Sequence, residues 1–144
     1  MHARSTTIRG RPESVADGIA FCRDEVLPMC REMPGCVGLS LIADRESGRC
    51  IVTTSWDSIE SMRATTDQVQ PIRQRVAGIL GGTPEVAEWE IAVMHRDHRT
   101  TDSACARVTW LRGDRAAMDR AADVFKLALM PEIETFDGSA GSAY

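Results

Sequence analysis

The stretch ARSTTIRGRPESVADGIAFCRDEVLPMCREMPGCVGLSL, Ala3 to Leu41, decides how this chain is read, because it reads as if written twice. A shift of 103 positions lays it without a gap on Ala106 to Tyr144. Eight pairs are then identical: Ala3/Ala106, Arg4/Arg107, Thr6/Thr109, Arg9/Arg112, Gly10/Gly113, Pro28/Pro131, Gly35/Gly138 and Gly38/Gly141. About two or three would be expected by chance in a span of this length. The pattern carries more weight than the identities. Val15, Ile19, Cys22, Val26, Cys30 and Met33, spaced by three and four, fall on Met118, Ala122, Phe125, Leu129, Ile133 and Phe136. Each copy reads as a strand ending at a glycine, an amphipathic helix with a proline at the same step, and a glycine opening a second strand. The expectation is one complete unit followed by the beginning of another.

Outward from that stretch, residues 2–9 carry β-branched Thr6, Thr7 and Ile8 and predict a strand that stops at Gly10. Pro12 and Ser14 predict a helix start, with Ser14 as N-cap and Pro28 kinking a helix that runs to about Met33. Cys36–Asp44 and Arg49–Trp56 predict a hairpin around Arg45–Gly48. A second helix is expected from Asp57-Ser58, with Met62, Val69, Ile72, Val76 and Ile79 at helical spacing, a kink at Pro71 and an end at Gly81-Gly82. Pro84–Met94 alternates as a fourth strand. The order β-α-β-β-α-β predicts an α+β, ferredoxin-like unit, an antiparallel four-stranded sheet with both helices on one face. Beyond it, Ala104–Arg112 predicts a strand, Asp114–Phe136 a helix and Gly138–Tyr144 the start of another strand. The expected domains are residues 1–96, a polar linker at 97–103, and a partial β-α-β repeat at 104–144. That last piece is expected to pack on the sheet of the first unit, its own or a partner's, since strands without a hairpin partner leave open edges.

The 144 residues are 43% hydrophobic and 26% charged, the profile of a soluble protein with a core. A net charge of −4 argues against nucleic acid as a partner. No apolar run approaches a membrane span, and the N-terminus lacks the apolar core of a signal peptide, so no membrane partner and a cytoplasmic location are expected. Five cysteines with no C-x-x-C suit reduced, mostly buried thiols.

The run EMPGCVGLSLIADRESGRCIVTTSWDSIESM resembles the antibiotic-biosynthesis-monooxygenase-like (ABM) domains of the dimeric α/β-barrel superfamily. The resemblance rests on Pro34-Gly35-Cys36, Gly38 and Trp56-Asp57-Ser58, with EVAEWEIAVM where the family's last strand should be. It covers residues 2–96 and, more weakly, 104–144. It implies a homodimer whose sheets face each other, one small-molecule pocket per unit, and, in the oxygenating members, no cofactor. The oxygenating and haem-degrading members place an asparagine on the first strand and a tryptophan in the second helix, with a tyrosine or histidine nearby. This chain has no asparagine, its only tyrosine is Tyr144, and the positions matching the haem degraders' tryptophan and histidine ligand are Thr65 and Arg75.

Arg4, a charge inside a strand, admits two readings: a donor fork for an anionic or phenolic oxygen, or a cross-strand ion pair with Glu88 or Glu90. Trp56 and Trp89 would wall an aromatic pocket or belong to core or interface. Met62, Val69, Ile72 and Val76 become a pocket wall where sheet and helix stand apart, and otherwise are core; Thr6 completes the candidate ligand-binding set. His95, Asp97 and His98 match no defined metal spacing, and no metal site is expected. Cys22 and Cys30 fall on the buried stripe of the first helix and are not expected to act as nucleophiles. Two functions follow: a cofactor-independent monooxygenase of a small aromatic or polycyclic phenolic substrate, or a non-catalytic module of the same fold that binds a small hydrophobic or aromatic ligand.

Overall fold

Strand β1 (His2–Arg9) is the centre of the first sheet, and the computed structural model describes it together with the rest of residues 1–96, 104–139 and 141–143. β1 pairs antiparallel with β3 (Arg49–Trp56) on one side and β4 (Pro84–Glu90) on the other, and β2 (Cys36–Ala43) pairs with β3, giving the order β2-β3-β1-β4. Both edges of β1 are thus paired along its length, which is where β-branched Thr6, Thr7 and Ile8 sit best. The register sets Arg4 between Thr54 and Glu88, Thr6 between Val52 and Val86, and Ile8 between Cys50 and Pro84. Because side chains alternate along a strand, these nine residues share one face. A bulge between Cys36 and Gly38 leaves Val37 unpaired and exposed, and so brings Leu39, Leu41 and Ala43 onto that same face, opposite Thr54, Val52 and Cys50.

Two helical segments cover this face. The first opens with a 3₁₀ turn (Pro12–Ser14) and runs as α1 (Val15–Phe21), a π-helical turn (Cys22–Val26) and α2 (Leu27–Glu32). Ser14 is not the expected N-cap. It is buried, has helical dihedrals and makes no capping bond; Arg11 takes the extended cap conformation, and Pro12 follows with its φ already set for a helix. The expected kink at Pro28 takes the form of the π turn just before it. Leu27 N–H reaches back five residues to Cys22 O, and the widened turn accommodates a proline that cannot donate.

The second segment is two helices, α3 (Ile59–Ala64) and α4 (Thr66–Leu80), and not one helix kinked at Pro71. Ser58 caps α3 by accepting Ser61 N–H at 3.0 Å. The break falls at Thr65, whose hydroxyl donates to Met62 O at 2.9 Å and draws that carbonyl from the helical ladder. α4 runs through Pro71 and ends at Gly81. Val15, Cys22, Val26 and Cys30 from the first segment and Val76, Ala77 and Leu80 from α4 close on Ile8 and Cys50 as the core. Burying a valine- or leucine-sized side chain contributes about 1.5–3 kcal/mol, so this cluster is the main source of stability.

The chain divides into two compact units, Met1–Glu90 and Ile91–Tyr144. The fourth strand, expected to reach Met94, stops at Glu90 because Glu90 already pairs with His2, the first residue of β1. Met94–Arg96 is a separate short strand, β5, paired antiparallel with β6 (Gly141–Ala143). Residues 104–112, expected as a strand, are exposed and carry no strand structure. β1, their counterpart in the first unit, is held by a strand on each edge, whereas the described residues of the second unit offer only the β5–β6 pair. The helical part of this unit is well formed: α5 (Arg115–Val124), capped by Asp114 accepting Ala117 N–H at 2.8 Å, a π turn (Phe125–Leu129) and α6 (Met130–Glu134). The linker expected at 97–103, with Asp97 and His98, lies outside the described residues. His95 belongs to β5, with Nδ1 3.4 Å from Glu134 Oε1.

Candidate functional site

Between α4, the π turn and the covered face of the sheet the first unit holds a cavity of about 40 Å³. Six aliphatic side chains form most of its wall: Val26 from the π turn, Leu39 from β2, Val52 from β3, and Val69, Ile72 and Val76 from α4. The polar part is Arg4 and Thr6 from β1, Thr54 from β3 and Arg73 from α4. An engineered cavity that takes up benzene measures about 150 Å³, so this one has room for a small head group and not for a fused-ring body. An open groove of about 380 Å³ lies beside it, lined by Met29, Glu32, Met33, Pro34, Gln68 and Ile72; Ile72 borders both.

Arg4 is 5% exposed. Its Nη2 donates to Glu88 Oε1 at 3.0 Å and to Thr66 Oγ1 at 3.1 Å, so the cross-strand pair is present and the same guanidinium also lines the cavity. Its Nη1 is buried without a hydrogen-bond partner. Glu88 divides its charge, since Oε2 also accepts from Arg63 Nε at 3.2 Å and Nη2 at 3.1 Å. The Arg4 hydrogen bond holds the Glu88 carboxyl below its usual value, with Arg63 adding to the effect against partial desolvation. Arg73 donates from Nε to Thr6 Oγ1 at 3.3 Å. Burial pulls its guanidinium below its ordinary value, and the like charge of Arg4 pulls further in the same direction. Thr54 Oγ1 accepts from Trp56 Nε1 at 3.0 Å and donates to Arg4 O at 3.4 Å, which anchors the cavity floor.

Of the candidate ligand-binding residues, Arg4, Thr6, Val69, Ile72 and Val76 are brought together here, and Trp56, Met62 and Trp89 are not. Trp56 and Met62 are fully buried in the core beyond the cavity. Trp89 pairs with Ala3, whose side chain alternates to the opposite face from Arg4, and its Nε1 donates to Ser5 Oγ there at 2.7 Å. Sequence reasoning missed Arg73, although a signal existed: it stands at i+4 from Val69 and i−3 from Val76, a charge inside an apolar helical stripe. It also missed Val26, Leu39, Val52 and Thr54, which enter only through strand register and helix packing.

Arg75, at the position matching the haem degraders' histidine, stacks over the Phe21 ring at 4.7 Å from its centre. Among the described residues no three His, Cys, Asp or Glu side chains are grouped to hold a metal ion. Burial pushes the Cys22 thiol up to about 11 and the Cys30 thiol up to about 12, keeping both protonated and unreactive at neutral pH. Among the described residues no helix is long and apolar enough to cross a membrane.

The solved structures of similar shape include the monooxygenase from the ActVA-Orf6 gene of Streptomyces coelicolor in complex with Nanaomycin D. It matches over 78% of this chain and 92% of its own, with 14% identity and a TM-score of 0.52. A Deinococcus radiodurans protein named after the antibiotic biosynthesis monooxygenases matches over 78% of this chain and all of its own, with 15% identity and the same TM-score. The fold is that of the ABM-like domains. At such identities the likeness to ABM proteins is one of fold. No family model matches the sequence. Relatives at the sequence level include two uncharacterised proteins of Mycobacterium tuberculosis H37Rv. Rv2557 is 49% identical over 138 residues, covering 96% of this chain and 62% of its own length. Rv2558 is 46% identical, covering 96% of this chain and 58% of its own. The chain therefore spans about three-fifths of the length of the curated relatives it matches.

Proposed function

We propose that the first unit is a binding domain that holds a small ligand between sheet and α4 and does not oxygenate it. The observation behind this reading is the cavity wall. Aliphatic side chains supply contact area, and threonine and arginine supply hydrogen bonds, but activating a phenol needs a base within reach of its hydroxyl. Neither a protonated guanidinium nor a threonine hydroxyl takes a proton at neutral pH. The size of the cavity argues the same way, since a polycyclic phenol is larger than benzene.

A second reading is favoured by the fold alone: a cofactor-independent monooxygenase of a small aromatic or polycyclic phenol, in which the substrate supplies the electrons that reduce O₂. Incubation with a hydroxylated polycyclic in an oxygen electrode separates the two. Uptake no faster than autoxidation of the phenol without protein is expected; stoichiometric uptake with quinone formation would establish the enzyme and overturn the binding domain.

We also propose a homodimer, supported by the likeness of fold to domains of the dimeric α/β-barrel kind; a monomer in sedimentation equilibrium would exclude it. A third proposal is that 104–144 is the beginning of a second unit, supported by the two π turns, which fall at Cys22–Val26 and Phe125–Leu129, 103 positions apart. The buried thiols Cys22, Cys30 and Cys50 support a reducing, cytoplasmic location.

A further inference from the structure

We infer that the cavity ligand is an apolar-tailed monocarboxylate, its carboxylate held by Arg4 and Arg73 inside and its tail leaving past Ile72 into the neighbouring groove. This rests on the binding-domain reading above and names the class of ligand that reading requires.

The charge balance comes first. Two guanidinium groups face one small cavity, and the carboxylate that pairs with Arg4, Glu88, is shared with the exposed Arg63. The site therefore carries a positive excess in an environment walled by valine, leucine and isoleucine. Like charges brought together away from water repel, and an anion placed between them relieves that repulsion. The depression of the Arg73 guanidinium by burial and by Arg4 is what such crowding produces.

Donor geometry points to the same occupant. Arg4 is 5% exposed, its Nη2 is committed to Glu88 and Thr66, and its Nη1 is buried without a partner. A buried donor left unsatisfied costs free energy that a ligand oxygen would recover. Arg73 has one nitrogen, Nε, tied to Thr6 and reaches the cavity from the opposite wall. Two guanidinium groups from two walls suit the two oxygens of a carboxylate, the group a planar fork of donors matches best.

Size and polarity decide the rest of the molecule. About 40 Å³ accepts a carboxylate with a carbon or two, and the aliphatic wall disfavours a polar continuation. The remainder must leave the cavity, and Ile72 is the side chain common to the cavity and the groove. That groove offers Met29, Met33 and Pro34 to an apolar tail, with Glu32 exposed to solvent where water screens it. Methionines suit a flexible chain because they repack around it.

The test is titration calorimetry on the full chain with octanoate, octan-1-ol and 1-naphthol, repeated on Arg73→Gln. Octanoate is expected to bind at least about tenfold more tightly than octan-1-ol, the usual worth of a charge-assisted pair of bonds. Arg73→Gln is expected to remove most of that difference while leaving the circular-dichroism spectrum unchanged. Arg4→Gln risks the fold through Glu88, so the Arg73 variant carries the decision. Equal binding of octanoate and octan-1-ol, or an octanoate preference undiminished in Arg73→Gln, overturns the carboxylate anchor and leaves the binding domain standing. If none of the three compounds binds, the binding domain itself falls, and the inference with it.

Discussion

Two helices 103 residues apart make the same shape for the same local reasons and meet different fates. In the first unit the helix over residues 15–32 carries a π turn at Cys22–Val26 before Pro28, and the chain leaves it through Gly35 at φ +77°. In the second the helix over residues 115–134 carries a π turn at Phe125–Leu129 before Pro131, and leaves through Gly138 at φ +85°. A missing proline donor and a left-handed glycine are local facts, so both stretches obey them alike. Burial is not local. Val26 is 4% exposed, while its counterpart Leu129 is 50% exposed and Phe136 is 62% exposed. The first helix has β1 flanked by β3 and β4 to lie on; residues 104–112, which correspond to β1, form no strand. A helix writes its own stripe, but only a sheet turns the stripe into a core.

The sharpest way to break this comparison is to put one charge on each helix at the corresponding step. Val26→Asp places a carboxylate among Cys22, Cys30 and Val76 and should cost about 4 kcal/mol or more, unfolding the first unit. Leu129→Asp should change stability by no more than about 0.5 kcal/mol. Urea melts followed by circular dichroism read both. A large loss from Leu129→Asp would mean that an assembly in solution covers the second stripe after all.

The paired glycines Gly10 and Gly113 give a smaller contrast. A methyl at Gly10 would sit 2.4 Å from Leu80 O, the same oxygen that accepts Arg11 N–H at 2.8 Å, so backbone would have to move. Gly10→Ala should cost about 1–3 kcal/mol, the range for overpacking. At Gly113 the nearest atom is the flexible Met118 Cε at 2.8 Å, and Gly113→Ala should fall within about 0.5 kcal/mol in the same melts.

Thiol chemistry sharpens the contrast without a substitution. Alkylation by iodoacetamide at pH 8, followed by peptide mass spectrometry, should modify exposed Cys105 first and leave Cys22 and Cys30 slower by more than about a hundredfold, since burial suppresses their thiolate forms. Comparable rates at Cys22 and Cys105 would show that the first core opens readily.

The smallest effect is in acid. Glu88 is held below the ordinary carboxylate value in the folded state, chiefly by Arg4, so its contribution is present at neutral pH and disappears as pH falls through its own depressed pKa. The melting temperature of wild type should exceed that of Glu88→Gln at pH 7, and the gap should narrow below about pH 4. A gap independent of pH would show that the Arg4–Glu88 pair does not act through charge.

Much of the first unit was legible. The β-α-β-β-α-β order follows from two periodicities, the helix start near Asp57-Ser58 and its end at Gly81-Gly82 from turn chemistry, and a partnership of Arg4 with Glu88 or Glu90, of which the structure shows Glu88, from the adjacency of first and last strands in that order. The failures have distinct causes. Ser14 is a cap by residue type alone, while Pro12 sets the helix start two residues earlier. The helix break at Thr65 comes from a hydroxyl competing for Met62 O, a choice that a threonine on a helix surface does not always make. For Trp89 the sequence leaves pocket wall and core or interface both open, and its register opposite Ala3 carries it to the face away from the cavity.

By itself the sequence determined what is decided within a turn or two of chain: the order of helices and strands, the glycines at which helices end, and which side chains form each stripe. Tertiary structure alone decided which stripe is covered, that Arg73 meets Arg4 across a cavity, and that residues 104–112 remain without a ladder. Propensity and periodicity act between neighbours along the chain, whereas burial, charge crowding and strand pairing depend on residues 60 to 90 positions away, as Arg73 is from Thr6 and Glu88 from Arg4.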